Sequence, residues 1–169
     1  MTPMSFRDAS AADLPRIVEI YNASIPGRLA TGDLEAVSVE SRQAWFAAHS
    51  PEKYPLIVAL SPDGKEIMGW GSLTSFHARA SYRFTAEISV YVAPEYARKG
   101  VGAALTDEIL NRCKKLPVKT IVALIFGHND PSLSLFKKKG FAFWGKLPCV
   151  AELDGIERDL DFYGLRVKK

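Results

Sequence analysis

Several things are scarce in this 169-residue sequence, and each scarcity removes a class of protein. Apolar runs such as Thr120-Ile-Val-Ala-Leu-Ile-Phe126 fall far short of the ~20 residues that span a bilayer. The opening Met1-Thr-Pro-Met-Ser-Phe-Arg-Asp8 has no apolar signal core, so a cytoplasmic protein without a membrane partner is expected. Only two cysteines occur, Cys113 and Cys149, and neither has a neighbour at metal-binding spacing. They read as buried, reduced thiols. His49, His77 and His128 are scattered, so no metal is expected. A net charge of +3 is small, and no dense basic face is interleaved with aromatics. Nucleic acid is therefore not the expected partner, whereas a polyanionic small ligand suits the slight basic excess. Repeats and low-complexity linkers are also missing, which points to one domain over residues 1–169.

What is present is organised around Glu87 to Leu105. Glu87-Ile-Ser-Val-Tyr-Val92 reads as a strand, and Pro94 stops it. A basic glycine loop, Arg98-Lys-Gly-Val-Gly102, opens an amphipathic helix that runs to about Lys115. A strand, a glycine loop and a helix N-terminus together can hold a phosphate. The helix start offers unpaired N–H groups and a positive dipole end, and glycine admits close approach. Glu87 is unusual inside an apolar strand, because an unpaired buried charge is costly. That placement marks it as a candidate functional group.

Around this unit the chain reads as alternating elements. Ser5–Asp8 is a short strand, and Ser10 with Asp13 resembles a capping box before a helix with an apolar stripe of Leu14, Ile17, Val18 and Tyr21. The loop from Ile25 to Val37 is too long for a mere connector. A second helix is expected from Val39 to about His49, capped by Ser38. Leu56–Leu60 and Ile67–Phe76 flank the turn Ser61-Pro-Asp-Gly64 as a hairpin, with Gly69 and Gly71 suggesting a close neighbour or a bulge. Thr120–Phe126 is a strand covered on both faces. Asn129 or Asp130 caps a helix that ends at Lys139-Gly140, and Asp154-Gly155 joins two last strands, Phe141–Leu153 and Ile156–Val167. The result is a mixed α/β layer with an antiparallel start and a parallel crossover.

The pattern resembles the GCN5-related N-acetyltransferase superfamily, whose coenzyme loop reads Gln/Arg-x-x-Gly-x-Gly/Ala. Here it reads Ala97-Arg-Lys-Gly-Val-Gly102, with Ala in the first place. Within that superfamily the chain is similar to the phosphinothricin and methionine sulfoximine acetyltransferase branch. The likeness lies in Tyr21-Asn22, Tyr82 to Val92, the glycine loop, Asn129-Asp-Pro-Ser132 and Gly155 to Leu160. The resemblance implies a GNAT fold: a mixed, largely antiparallel sheet of about seven strands flanked by four helices and splayed at strands 4 and 5. It implies acetyl-CoA as co-substrate, an amino-acid substrate and a homodimer. Backbone groups of Val90 and Val92 would meet the pantetheine arm, and an N–H near Val90 or Tyr91 the oxyanion. N–H groups of Arg98, Lys99, Gly100, Val101, Gly102 and Ala103 would hold the pyrophosphate, and Asn129 would bond the arm. Glu87 would be the general base, Arg79 and Tyr82 would contact substrate, and Thr31 and Arg28 would close the pocket, with His77 a weaker candidate. The family often places a proton-donating Tyr where this chain has Phe136. Two other functions stay open: an acetylase of protein N-termini or lysines, and a non-catalytic acyl-CoA sensor.

Overall fold

The computed structural model describes residues 4–169. Among these residues, seven strands form one sheet in the order β1-β2-β3-β4-β5-β7-β6. They are β1 (Ser5–Asp8), β2 (Leu56–Leu60), β3 (Ile67–Ser75), β4 (Thr85–Val92), β5 (Thr120–Phe126), β6 (Ala142–Leu153) and β7 (Ile156–Arg166). Four helices accompany them: α1 (Leu14–Ser24), α2 (Gln43–Ala47), α3 (Val101–Cys113) and α4 (Asp130–Lys138). Every strand pair is antiparallel except β4 with β5, which α3 joins as a crossover.

Alternation along the strands divides the core in two. Val58 and Trp70 pack with Ile17 and Ile20 of α1 on one face. Ile57, Ile88 and Ile121 pack with Leu105 and Ile109 of α3 on the other, where Phe136 of α4 joins them. The glycines of β3 are there for close approach. A Cβ on Gly69 would lie 2.7 Å from the Tyr91 carbonyl oxygen, and one on Gly71 2.7 Å from the Ile109 side chain.

Local signals account for most element ends. The Ser10 N–H donates to the Asp13 carboxylate at 2.7 Å, closing the capping box before α1. Asp154 (φ 52°) and Gly155 (φ 79°) form the tight turn of the β6–β7 hairpin. At the end of α4, the N–H groups of Gly140 and Phe141 donate to the carbonyls of Lys137 and Phe136, a Schellman closure. The second helix is shorter than the sequence suggests: a 3-10 turn over Glu40–Arg42 precedes the five residues of α2. The helix α3 also ends two residues early, at Cys113. One expectation fails outright. Cys113 is buried but Cys149 is exposed, because β6 is an edge strand that bulges between Leu147 and Ala151.

Candidate active site

Strand β4 carries the site because its two edges have different neighbours. The Thr85 carbonyl accepts from Phe76 N–H, and Ala93 N–H donates to Met68, so odd-numbered residues of β4 turn their main-chain groups toward β3. Even-numbered residues turn theirs toward β5, as Phe84 does in accepting from Thr120 N–H at 3.2 Å. The ladder to β5 holds only from Thr85↔Thr120 to Glu87↔Val122. Beyond Glu87 the two strands diverge. The main-chain groups of Val90 and Val92 therefore face an open gap, which an extended ligand with amide groups can fill as a strand would.

That gap is a cavity of about 410 Å³ between β4 and β5. Leu29 to Gly32 form part of its lining, and Asn129, Ser132 and Phe136 line it from the side of α4. Asn129 is buried and doubly used: its Oδ1 accepts from Ser132 N–H at 3.2 Å, and its Nδ2 donates to Leu29 O at 2.9 Å. One N–H of its amide remains for a ligand. The neighbouring loop is pinned further by His128 Nε2 to Arg28 O (2.7 Å) and by Tyr91 OH to Ala30 O (3.1 Å). Arg28 itself pairs with Asp154 at 2.7 Å, so it ties the loop to the β6–β7 hairpin.

At the N-terminus of α3 the backbone is shaped for an anion. Arg98 (φ 62°) and Gly100 (φ 82°) are both left-handed, and Ala104 N–H is the first to close a helical bond, to Gly100 O. The N–H groups of Val101, Gly102 and Ala103 thus have no acceptor within the helix. Such a nest beside a dipole end suits a phosphate. Arg98 is exposed at this end, and Lys99 lies 5.3 Å from the Tyr96 ring.

A second cavity, of about 360 Å³, lies on the α1/α2 face. Tyr21, Arg42, Trp45, Trp70 and Thr74 contribute to its wall. Glu87, Ser89 and Tyr91 line both cavities, so the two meet across β4 just where its pairing with β5 ends. Burial raises the Glu87 pKa. It raises the Tyr91 phenol as well, which makes Tyr91 a weak acid. Thr31 is buried and its Oγ1 lies 2.5 Å from Tyr21 OH, which in turn donates to Asp33 at 2.5 Å.

The structure thus brings Glu87, Thr31, Asn129 and residues 90–91 together. It does not bring Arg79 or Tyr82 to them within one chain. Arg79 is exposed ahead of a short 3-10 turn, and Tyr82 lines a separate apolar hollow with Phe76 and Trp144. His77 is likewise exposed, its Nδ1 accepting from Arg79 N–H at 3.1 Å. Sequence reasoning missed Arg42, Asp33, Trp45 and Trp70. The apolar stripe of α1 divides: Leu14, Ile17 and Val18 are buried, and Tyr21 is half-exposed on the cavity wall.

Comparison with known proteins agrees with this geometry. A family model described as acetyltransferase (GNAT) family matches residues 14–141. The chain belongs to that family. It is 43% identical to YwnH of Bacillus subtilis over 161 residues, 95% of this chain and 98% of that protein. It is 34% identical over 163 residues to an L-methionine sulfoximine/L-methionine sulfone acetyltransferase of Pseudomonas aeruginosa, covering 96% of this chain and 94% of the relative. Among solved structures, a GNAT superfamily phosphinothricin acetyltransferase from Sinorhizobium meliloti in complex with AcCoA superposes with a TM-score of 0.92. The two are 33% identical, over 99% of this chain and 90% of that one. The seven-stranded sheet with its single parallel β4–β5 pair is the GNAT fold expected from the sequence.

Proposed function

We propose that this GNAT protein acetylates the α-amino group of a small amino acid of the methionine sulfoximine or phosphinothricin kind, with Glu87 as general base. The observation that carries this reading is the meeting of two cavities at Glu87, Ser89 and Tyr91. Acetyl-CoA supplies the acyl group as an activated thioester. Val90 and Val92 hold its pantetheine arm by main-chain bonds in the β4–β5 gap, Asn129 adds one amide donor, and the N–H groups from Arg98 to Ala103 take the pyrophosphate. In the other cavity Glu87 removes a proton from the ammonium group, directly or through a water, because a protonated amine has no lone pair to attack with. The Val90 main-chain N–H, which faces the gap, meets the developing negative oxygen; the Tyr91 N–H, also a candidate from the sequence, is turned toward β3 instead.

Phe136 cannot donate a proton to the departing sulfur, and Tyr91 is held a weak acid by burial. The mechanism does not need either, since a thiol of ordinary pKa (~8.5) leaves readily as thiolate. The size and walls of the 360 Å³ cavity support a small substrate over a polypeptide. A homodimer is part of the proposal, supported by the apolar edge at β6, where Phe143, Trp144, Leu147 and Val150 are exposed. The test is release of free CoA thiol from acetyl-CoA over a panel of amino acids and peptides. Turnover of free α-amino acids is expected; turnover of peptide amines alone, or coenzyme binding without turnover, overturns the reading.

A further inference from the structure

Among the described residues, the amine-side cavity is lined by two charged side chains, Glu87 and Arg42, and the rest of its wall is aromatic, aliphatic or hydroxylic. Arg42 is held from two directions. Its Nη2 donates to Asp33 at 2.9 Å, and its guanidinium carbon lies 4.8 Å from the centre of the Tyr21 ring. Asp33 is fixed in turn by Tyr21 OH. These contacts set the plane of the guanidinium while occupying one of its five N–H donors. The side chain is 28% exposed, so the spare donors are open on the cavity wall. A planar, oriented fork with free N–H groups is suited to a carboxylate.

We infer that Arg42 binds the α-carboxylate of the substrate, and that the cavity so built takes amino acids with uncharged side chains. The inference rests on the reading that this chain acetylates amino acids with Glu87 as base. A free amino acid presents an ammonium group and a carboxylate two bonds apart. Glu87 answers the first and Arg42 the second, and the wall then has no third charge to offer. A side chain with its own charge would lie against Trp45, Trp70 and Tyr91 without a counter-ion, which is costly. Sulfone and sulfoximine side chains meet this condition, and a phosphinate does not. Arg79, exposed outside the lining, does not supply the missing cation within the chain.

The test compares methionine sulfone, its α-amide and phosphinothricin as substrates of the full chain with acetyl-CoA. The same rates are measured for Arg42→Gln, Arg42→Lys and Arg79→Gln. In the wild type the acid is expected to exceed the amide about 10- to 100-fold in kcat/KM, chiefly through KM, as loss of charge-assisted hydrogen bonds implies. Methionine sulfone should exceed phosphinothricin by about 10-fold or more. Arg42→Gln should bring the acid-to-amide ratio close to one by raising KM for the acid while leaving KM for the amide nearly unchanged. Arg42→Lys keeps a cation beside Asp33 and should retain part of the ratio, which keeps the test readable if the Gln variant melts early. The inference is overturned if the wild type treats acid and amide alike, or if Arg79→Gln rather than Arg42→Gln removes the ratio. Equal use of phosphinothricin and the sulfone overturns it too. Failure to turn over any free amino acid, with peptide amines accepted, overturns the underlying reading and this inference with it.

Discussion

Glu87 lies half-buried at the end of the β4–β5 ladder, and among the described residues the cation on its cavity wall is Arg42, which is already paired with Asp33. Burial favours its neutral form and raises its pKa above the ordinary glutamate value, which makes the carboxylate a stronger base. Glu87→Gln should therefore lower kcat/KM by about 10²- to 10⁴-fold near neutral pH, the usual contribution of general-base catalysis. The gap should narrow at high pH, where the amine arrives deprotonated. An unchanged pH–rate profile in the variant would remove Glu87 from the mechanism. The same burial acts on stability. A folded pKa above the unfolded one means that the folded state holds the proton more tightly. Stability is then lost as pH rises from the ordinary glutamate value through the raised one. Gln carries no such penalty. The melting temperature of Glu87→Gln relative to wild type should climb between pH 4 and pH 7 in thermal melts, and a gap that shrinks over that interval would show that Glu87 has a stabilising partner.

The elements that sequence reasoning placed well are those whose ends carry their own chemistry. Ser10 and Asp13 do so for α1. Arg7 bonds the Asp13 carboxylate at 2.6 Å and holds its pKa down to about 2. Asp13→Ala should cost about 1–2 kcal/mol at pH 7, as loss of a helix cap does. A carboxylate with a depressed folded pKa contributes fully above its unfolded value and loses that contribution as pH falls toward the folded one. The difference between variant and wild type should therefore shrink from about pH 4 downward toward pH 2, which urea titrations at several pH values would show. Gly69 was legible as a place of close approach or a bulge, and both occur there: β4 lies against it, and the ladder to β2 shifts register between Ala59 and Leu60 beside it. Gly69→Ala should destabilise by about 1–3 kcal/mol, because the added methyl meets the Tyr91 carbonyl and the Val92 Cα, both main-chain atoms that cannot swing aside. A melting temperature equal to wild type would mean that β3 and β4 part more easily than this packing allows. What the sequence did not reveal is the brevity of α2, whose boundaries depend on how the preceding loop folds back.

At the scale of the molecule, the glycine loop at the start of α3 and Glu87 on β4 were legible in the sequence, and the rest of the cavity on the α1/α2 face was not. Gly100 and Gly102 sit within five residues of each other and of a helix start, so local pattern suffices. The amine cavity is assembled from α1, α2, β3 and β4, and Arg42 reaches it only because Asp33 and Tyr21 hold it there. No spacing in the chain records that convergence. The expected exposure of Arg79 and Tyr82 to substrate bears on assembly for the same reason. The sheet face that α1 and α2 cover over β3 and β4 continues past β5 as an apolar hollow of about 420 Å³, lined by Phe76, Tyr82, Trp144, Leu147 and Phe162. Next to it runs β6, a twelve-residue edge strand with Phe143, Trp144, Leu147 and Val150 exposed. An edge so long and apolar invites pairing unless another surface covers it. A second copy of the chain is the occupant that the proposed homodimer supplies. Sedimentation velocity at micromolar concentration should give a dimer. Leu147→Asp, which places an unpaired charge in that surface, should weaken association by about 2 kcal/mol or more and shift the protein to monomer. Because Tyr82 lines the hollow, the monomeric variant should also lose substrate affinity if Arg79 and Tyr82 act across the interface. A wild-type monomer would overturn the proposed homodimer, and a dimer indifferent to Leu147→Asp would place the interface elsewhere; either leaves this hollow as an open surface of the molecule.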